Sequence, residues 1–349
     1  MIDLISDTVT RPTPEMRRVM AEAEVGDEQL GEDPSVNRLQ EMVAELTGKE
    51  AALFLPSGTM CNLIGIKVHT RPGDRIIIER TAHPVTSEAG GAGLVCGVLT
   101  YLVDGVRGVF GPEQVAAAAD PGDGVHTPPT TLVCIENTHN RGGGKIWPLE
   151  TLEAVCQTAH RLGLKVHMDG ARLLNAVVAT GIPTTVWCRE VDTVWIDLSK
   201  GLGCPVGAVL AGDRETIRLA RRYKQMFGGA MRQAGILAAA GIYALQHHVD
   251  RLAEDHANAR LLAEGLAETP GIGIDPAEVE TNLVYFDVRD TGMTAQAFTQ
   301  ALLAEGVRMG AVGEYRVRAV THLDVTRDDI ERAIAAVRRV VLSHRYAGS

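Results

Sequence analysis

Trp195-Ile-Asp-Leu-Ser-Lys-Gly-Leu-Gly203 is the stretch on which the reading of this chain turns. Its apolar start reads as a strand. Ser199, Gly201 and Gly203 read as the turn that ends it, and Lys200 sits in that turn. Open α/β sheets keep their ligands at the carboxyl ends of the strands. An amine placed there, with no cationic neighbour for several residues on either side, is positioned for chemistry rather than for solvation.

Working outward, short apolar runs predict strands at Ala51 to Leu55, Arg75 to Glu79, Thr131 to Glu136, Lys165 to Asp169, Thr193 to Asp197 and Val206 to Ala211. Helical patterns fall between them at Met60 to His69, Leu149 to Leu162 and Arg214 to Tyr223. Alternating strands and helices give a mostly parallel sheet covered on both faces, and the near-continuous apolar runs are those of strands buried on both sides. From Met231 to Glu268 the chain reads as helix. Pro270, Gly271 and Gly273 then introduce a strand (Asn282 to Val288), a helix (Thr294 to Glu305), a strand (Arg316 to Thr321) and a helix (Asp328 to Leu342). The expected organisation is an N-terminal arm with a large domain over residues 1–249 and a small C-terminal α/β domain over 250–349.

With 349 residues, 45% of them hydrophobic, the chain has ample material for such cores. A net charge of -10 without a sustained basic stripe argues against nucleic acid and anionic membranes as partners. The six cysteines lack metal-binding or disulfide spacing and read as buried thiols. Neither a secretory signal nor a membrane span is expected, which points to a cytoplasmic enzyme.

Two further segments complete a site with Lys200. Ser57-Gly58-Thr59 follows a strand and opens a helix, where unpaired N–H groups and the helix dipole favour a phosphate; an ordinary N-cap uses the same residues. Asp169 ends the strand Lys-Val-His-Met-Asp and is suited to hold a pyridinium N–H, or merely to cap a turn. It precedes Lys200 by 31 positions, room for one βα unit, which puts both at the same end of neighbouring strands. An amine, a phosphate turn and an acid on separate strand ends form the set that pyridoxal phosphate enzymes need. Arg172 is a candidate clamp for a substrate carboxylate. His83, His126 and His139 are single candidates, and His167 is expected to gain little from its closeness to Asp169. Asp7, Thr8 and Thr10 read as loop-capping groups, and no metal is expected.

Together the motifs resemble the low-specificity L-threonine aldolases, fold-type I pyridoxal phosphate enzymes with the aspartate-aminotransferase-like architecture. The resemblance runs nearly end to end. It rests on Ser6-Asp-Thr-Val-Thr10-Arg-Pro, Val25-Gly-Asp27, Gly31-Glu-Asp-Pro34, Gly48-Lys-Glu-Ala51, Leu55-Pro-Ser-Gly-Thr59 and Glu136-Asn-Thr-His-Asn140. Further matches are Asp169-Gly-Ala-Arg-Leu173, Leu198-Ser-Lys-Gly-Leu-Gly203, Gly228-Gly-Ala-Met-Arg-Gln233 and Val320-Thr-His-Leu-Asp324.

The resemblance implies that Lys200 bonds to the cofactor aldehyde and Asp169 partners the ring nitrogen. It implies that Ser57, Gly58 and Thr59 contact the phosphate, with Ser199 beside them and Arg232 reaching in from a neighbouring subunit. His83 is implied to stack on the ring near the substrate hydroxyl, and His126 to lie near the substrate side chain. Ser6, Arg172 and Arg318 are implied to grip the carboxylate, and Leu30, where many members carry an aromatic residue, to border the substrate. A homotetramer, a dimer of dimers with shared active sites, is implied as well. The expected reaction is cleavage of L-threonine, L-allo-threonine and related β-hydroxy-α-amino acids to glycine and an aldehyde. The base for the hydroxyl proton stays open among His83, His126 and water. The alternatives are a β-eliminating lyase, an aminotransferase and a cofactor-binding protein without turnover.

Overall fold

The computed structural model describes residues 1–347. Numbered along the chain, the strands are β1 (Ile2–Asp3), β2 (Ala51–Leu55), β3 (Arg75–Glu79), β4 (Leu99–Val103), β5 (Thr130–Glu136), β6 (Lys165–Gly170), β7 (Thr193–Asp197), β8 (Ala208–Gly212), β9 (Leu283–Asp287), β10 (Val307–Arg308), β11 (Gly310–Ala311) and β12 (Arg316–Val320). The helices are α1 (Pro14–Ala21), α2 (Pro34–Thr47), α3 (Gly58–His69), α4 (His83–Thr86), α5 (Pro112–Ala118), α6 (Leu149–Arg161), α7 (Leu173–Thr180), α8 (Thr184–Cys188), α9 (Arg214–Met226), α10 (Gly235–His247), α11 (Leu252–Ala267), α12 (Ala295–Ala304) and α13 (Arg327–Ala347).

The chain divides into two units. The larger, Pro12–Val249, is built on a seven-stranded sheet in the order β2-β8-β7-β6-β5-β3-β4. The pairs β3–β4, β3–β5, β5–β6 and β6–β7 are parallel, and only β8 runs against its neighbours β2 and β7. Strand β7 is buried at all five positions and β5 at six of seven, because helices cover both faces and leave no solvent side for a polar alternation. One face packs Leu53, Leu55 and Trp195 against Cys61 and Ile64 of α3 and Ile217 and Ala220 of α9.

The second unit joins Met1–Arg11 to the chain from Asp250 onward. It holds the antiparallel sheet β11-β12-β9 and the parallel pair β1–β10. Its core gathers Phe286, Phe298, Leu302, Ile330 and Val337 from the sheet and helices. Met1–Arg11 therefore group with the second unit, whereas the expected boundary at residue 249 placed them with the large domain. Its backbone completes hydrogen bonds of the second unit: Leu4 N donates to Arg308 O at 2.8 Å, and Val320 N donates to Leu4 O at 2.9 Å.

Two other expectations change. Strand β4, Leu99-Thr-Tyr-Leu-Val103, was not expected from the sequence; it is the edge strand, with Leu99, Thr100 and Tyr101 exposed. The expected long helix from Met231 to Glu268 is two helices. The first ends at its C-cap His248, whose Nδ1 bonds Leu202 O at 2.7 Å. All six cysteines are buried free thiols. Among the described residues no helix is long and apolar enough to cross a membrane.

Candidate active site

The site forms at the carboxyl ends of β5, β6 and β7 in the larger unit. Parallel pairing sets Asp169 opposite Trp195 and Gly170 opposite Ile196, so the turn carrying Lys200 leaves the sheet at the same end as Asp169. Lys200 Nζ is ion-paired with Asp197 Oδ2 and lies 5.5 Å from the centre of the Trp195 ring. The other oxygen, Asp197 Oδ1, accepts from Ser199 N at 2.7 Å and Ser199 Oγ at 2.9 Å. Ser199 thus shapes the turn, and Asp197, not singled out from sequence, is the partner of the amine.

Helix α3 brings Ser57, Gly58 and Thr59 to the same end. Ser57 is its N-cap, with Oγ accepting from Met60 N at 3.2 Å, which leaves the hydroxyl proton free to donate. Gly58 is also required by packing. A Cβ on Gly58 would lie 2.4 Å from the Trp195 ring, and one on Gly65 would lie 2.1 Å from the His167 ring. Residues at i, i+4 and i+7 share one helix face, so these two glycines let α3 settle closely on β6 and β7. Asn62, between them, then faces the strand ends.

Asn62 is the hub that sequence reading missed. It is fully buried. Its Nδ2 donates to Asp169 Oδ2 at 2.8 Å and to Glu88 Oε1 at 2.7 Å. Its Oδ1 accepts from Trp195 Nε1 at 2.7 Å and faces His167 Nε2 at 3.2 Å. His167 is thus not irrelevant to Asp169: a two-residue strand period puts both on one face, against the same amide.

His83, at the start of α4, closes the network. Its Nδ1 meets Glu88 Oε1 at 2.7 Å, and its backbone N donates to Glu136 Oε2 at 2.7 Å. Glu136 Oε1 accepts in turn from Asn140 N at 2.8 Å. The ligand atoms of His83, Glu88 and Asp169 lie within 4.8 Å of one another.

Burial, reinforced by Glu136, pushes the Asp169 carboxyl up to about 7, against the lowering effect of its bond from Asn62. The hydrogen bond that His83 donates to Glu88 holds it above its ordinary range, opposed by burial and assisted by the charges of Asp169 and Glu136. His167, with no carboxylate beside it, is pushed down to about 3 by burial. The site therefore concentrates negative charge around Asp169 and is electrostatically suited to a cation.

The remaining candidates are placed as follows. Arg172 is buried just ahead of α7. His126 is exposed on the segment leading into the amino end of β5, away from the strand ends that carry the cluster. His139 is buried, with Nε2 3.1 Å from Glu79 Oε2. Leu30 is 70% exposed, in a turn whose Gln29 O accepts from Arg221 Nη2 at 2.9 Å. Arg232 is exposed and pairs with Asp27 at 2.9 Å. Ser6 and Arg318 belong to the other unit, where Arg318 Nη2 donates to Ile5 O at 3.1 Å. Glu136 lies inside a quoted motif and Glu88 follows His83 by five positions, but nothing local marks either as a site residue.

The family model of beta-eliminating lyases matches residues 3–290. The chain is 44% identical to the low specificity L-threonine aldolase of Escherichia coli (strain K12) over 336 residues, covering 96% of this chain and 98% of that one. It is 41% identical to the low-specificity L-threonine aldolase 1 of Arabidopsis thaliana over 346 residues, covering 98% and 97%. A solved structure of Leishmania major threonine aldolase shares the fold, with a TM-score of 0.82 at 21% identity over 98% of this chain and 100% of that one.

Proposed function

The chain belongs to the beta-eliminating lyase family, in its threonine aldolase branch, and from that membership we propose that it cleaves L-threonine, L-allo-threonine and related β-hydroxy-α-amino acids to glycine and an aldehyde with pyridoxal phosphate. The observation that carries this reading is the convergence of Lys200, Asp169 and His83 on one end of one sheet.

The residues present fit the cofactor. Asp169 is a buried acid whose ionised form needs a cation beside it, as a protonated ring nitrogen provides. The Ser57 hydroxyl and the free N–H groups at the start of α3 suit a phosphate. Glu88 Oε2, Asn137 Nδ2 and Thr138 Oγ1 are buried polar atoms near these strand ends without hydrogen-bond partners among the described residues.

Bound there, pyridoxal phosphate supplies an electron sink for the charge left at Cα when the Cα–Cβ bond breaks. Lys200 offers the amine that holds the cofactor aldehyde, and Asp197 orients it. Asp169 keeps the ring nitrogen protonated by charge, in a buried setting where that interaction is strong. Arg172 pairs with the substrate carboxylate. His83, with Nδ1 engaged by Glu88, uses Nε2 to take the proton from the β-hydroxyl, so the aldehyde carbonyl forms as the bond to Cα breaks. A homotetramer, Arg232 serving the phosphate of a neighbouring copy, and a cytoplasmic location belong to the same reading; the exposure of the Arg232 side chain supports the second of these.

The test is a product assay with threonine, allo-threonine and phenylserine. Glycine and an aldehyde in equal amounts are expected. A keto acid and ammonia would replace this reading with β-elimination, and a visible cofactor band without products would leave only binding. Lys200→Ala is expected to abolish the steady-state reaction.

A further inference from the structure

We propose that Glu88, held in place by Asn62, is a positioning residue that fixes the imidazole of His83 as the tautomer with its proton on Nδ1, so that Nε2 is the basic nitrogen. This rests on the reading of His83 as the base for the substrate hydroxyl.

The argument is a count of donors and acceptors. The indole Nε1–H of Trp195 can only donate, and it points at Asn62 Oδ1 from 2.7 Å. That bond sets which end of the Asn62 amide is oxygen and excludes the flipped arrangement. The NH₂ end then faces Glu88 Oε1 and Asp169 Oδ2 and donates one hydrogen to each. Both carboxylates are thereby acceptors at these positions. Glu88 Oε1 also meets His83 Nδ1 at 2.7 Å, and an oxygen already accepting from Asn62 leaves the imidazole nitrogen as the donor. The sense of every bond from Trp195 to His83 follows from one donor-only indole.

The acid is well suited to this work. The Glu88 side chain is 1% exposed, whereas that of His83 is 39% exposed, so the fixed nitrogen lies on the buried side. The charged groups around His83 are Glu88 on its own segment, Asp169 at the end of β6 and Glu136 at the end of β5. Of these, Glu88 bonds the ring directly, while Glu136 is tied to the backbone N of His83. The Glu88 bond is also the largest influence holding His83 above its ordinary range. Neutral imidazole free in water favours the proton on Nε2, so the opposite tautomer is a signature of this acid.

The test is ¹⁵N NMR of the His83 ring in the full chain, with and without added pyridoxal phosphate, together with the pH profile of aldehyde release. In the unaltered chain the neutral ring is expected to carry its proton on Nδ1. Glu88→Ala is expected to return it to Nε2. Glu88→Gln, which keeps volume and an acceptor oxygen but loses charge, is expected to retain the Nδ1 proton, lower the His83 pKa and move the acid limb of the profile to lower pH. An Nε2–H ring in the unaltered chain, or a tautomer unchanged by Glu88→Ala, would overturn the proposal. A tautomer that follows Glu88 while the acid limb stays put would support the positioning role and remove His83 as the base. Absence of aldehyde release would refute the aldolase reading and leave the tautomer measurement standing.

Discussion

The two sides of Asn62 hold the same kind of group and treat it in opposite ways. On one side His83 stands among Glu88, Asp169 and Glu136 and is drawn toward its charged form. On the other, His167 contacts the Thr193 hydroxyl at 2.8 Å and the amide of Asn62, meets no acid, and is held neutral by burial. Both connect to one asparagine, His83 through Glu88 and His167 directly, yet one faces a cluster of acids and the other an amide and a hydroxyl. The difference lies in which carboxylates stand beside each ring, because an opposite charge within a few ångströms offsets desolvation and a neutral hydroxyl does not.

The largest expected effect comes from removing the charge that organises the His83 side. Asp169→Asn is expected to lower the rate of aldehyde release by roughly 10²–10³-fold, comparable to loss of an electrostatic stabiliser in other active sites. The same variant should unfold at slightly higher denaturant in the absence of cofactor, since its buried group no longer ionises. Urea midpoints of the two chains at pH 8 check this, and a midpoint lowered by the substitution would show that Asp169 is structural.

Asn62→Leu attacks both sides together. It takes one donor from each of Asp169 and Glu88 and leaves the Trp195 indole without its acceptor. Cofactor affinity, measured by fluorescence titration, is expected to fall by roughly 10–100-fold, the scale seen when outer partners of a binding group are removed. Unchanged affinity would mean that the two acids are positioned independently of α3.

The His167 side is read by pH. With a folded value of about 3 and an ordinary value of 6.5, His167 binds a proton in the unfolded chain and not in the folded one between these limits. Its contribution is therefore complete above about pH 6.5 and lost progressively as pH falls toward 3. His167→Asn is expected to reduce the loss of stability between pH 7 and pH 5 by about 2 kcal/mol relative to the unaltered chain. Asp169, raised to about 7, acts with the opposite sign in this window, so the comparison between the two chains, rather than either slope alone, isolates His167.

The smallest effect concerns the helix that carries Asn62. Ser57→Ala removes the cap of α3 and is expected to cost about 1 kcal/mol of stability. It also removes a hydroxyl from the turn proposed to hold the phosphate, so cofactor affinity should weaken without any change in the pKa of His83. A shift of that pKa would show that the helix end and the Asn62 network are not separable.

Local signals carried much of this. Lys200 and Asp169 were legible because each closes a buried strand, and a spacing of 31 residues allows one crossover between parallel neighbours. Ser57 was legible because capping is a property of a few adjacent residues. Asn62 was not, since an asparagine inside an apolar helix carries no local mark. The available clue was its place between Gly58 and Gly65, four residues after one and three before the other. Glu88 stood in the segment Pro84-Val-Thr-Ser-Glu-Ala-Gly-Gly91 that followed His83, but a short helix and a turn lie between them, and only folding folds the acid back onto the ring. The Lys200–Asp197 pair was overlooked for a simpler reason: Asp197 reads as a strand residue until the turn bends the lysine back over it.

By itself, then, the sequence determined which segments become strands, which turns follow them and which residue types stand at strand ends, because periodicity and turn chemistry act over a few residues. The edge strand β4, the place of Met1–Arg11 with the second unit and the antiparallel course of β8 were decided by pairing between distant segments. The same holds for the chemistry of the site. The residue type makes Asp169 an acid and His83 a base, but their working charge states depend on burial and on Asn62, Glu88 and Glu136, which arrive from different elements. Electrostatic interactions of this kind depend on distance in space, and only the tertiary structure sets that distance.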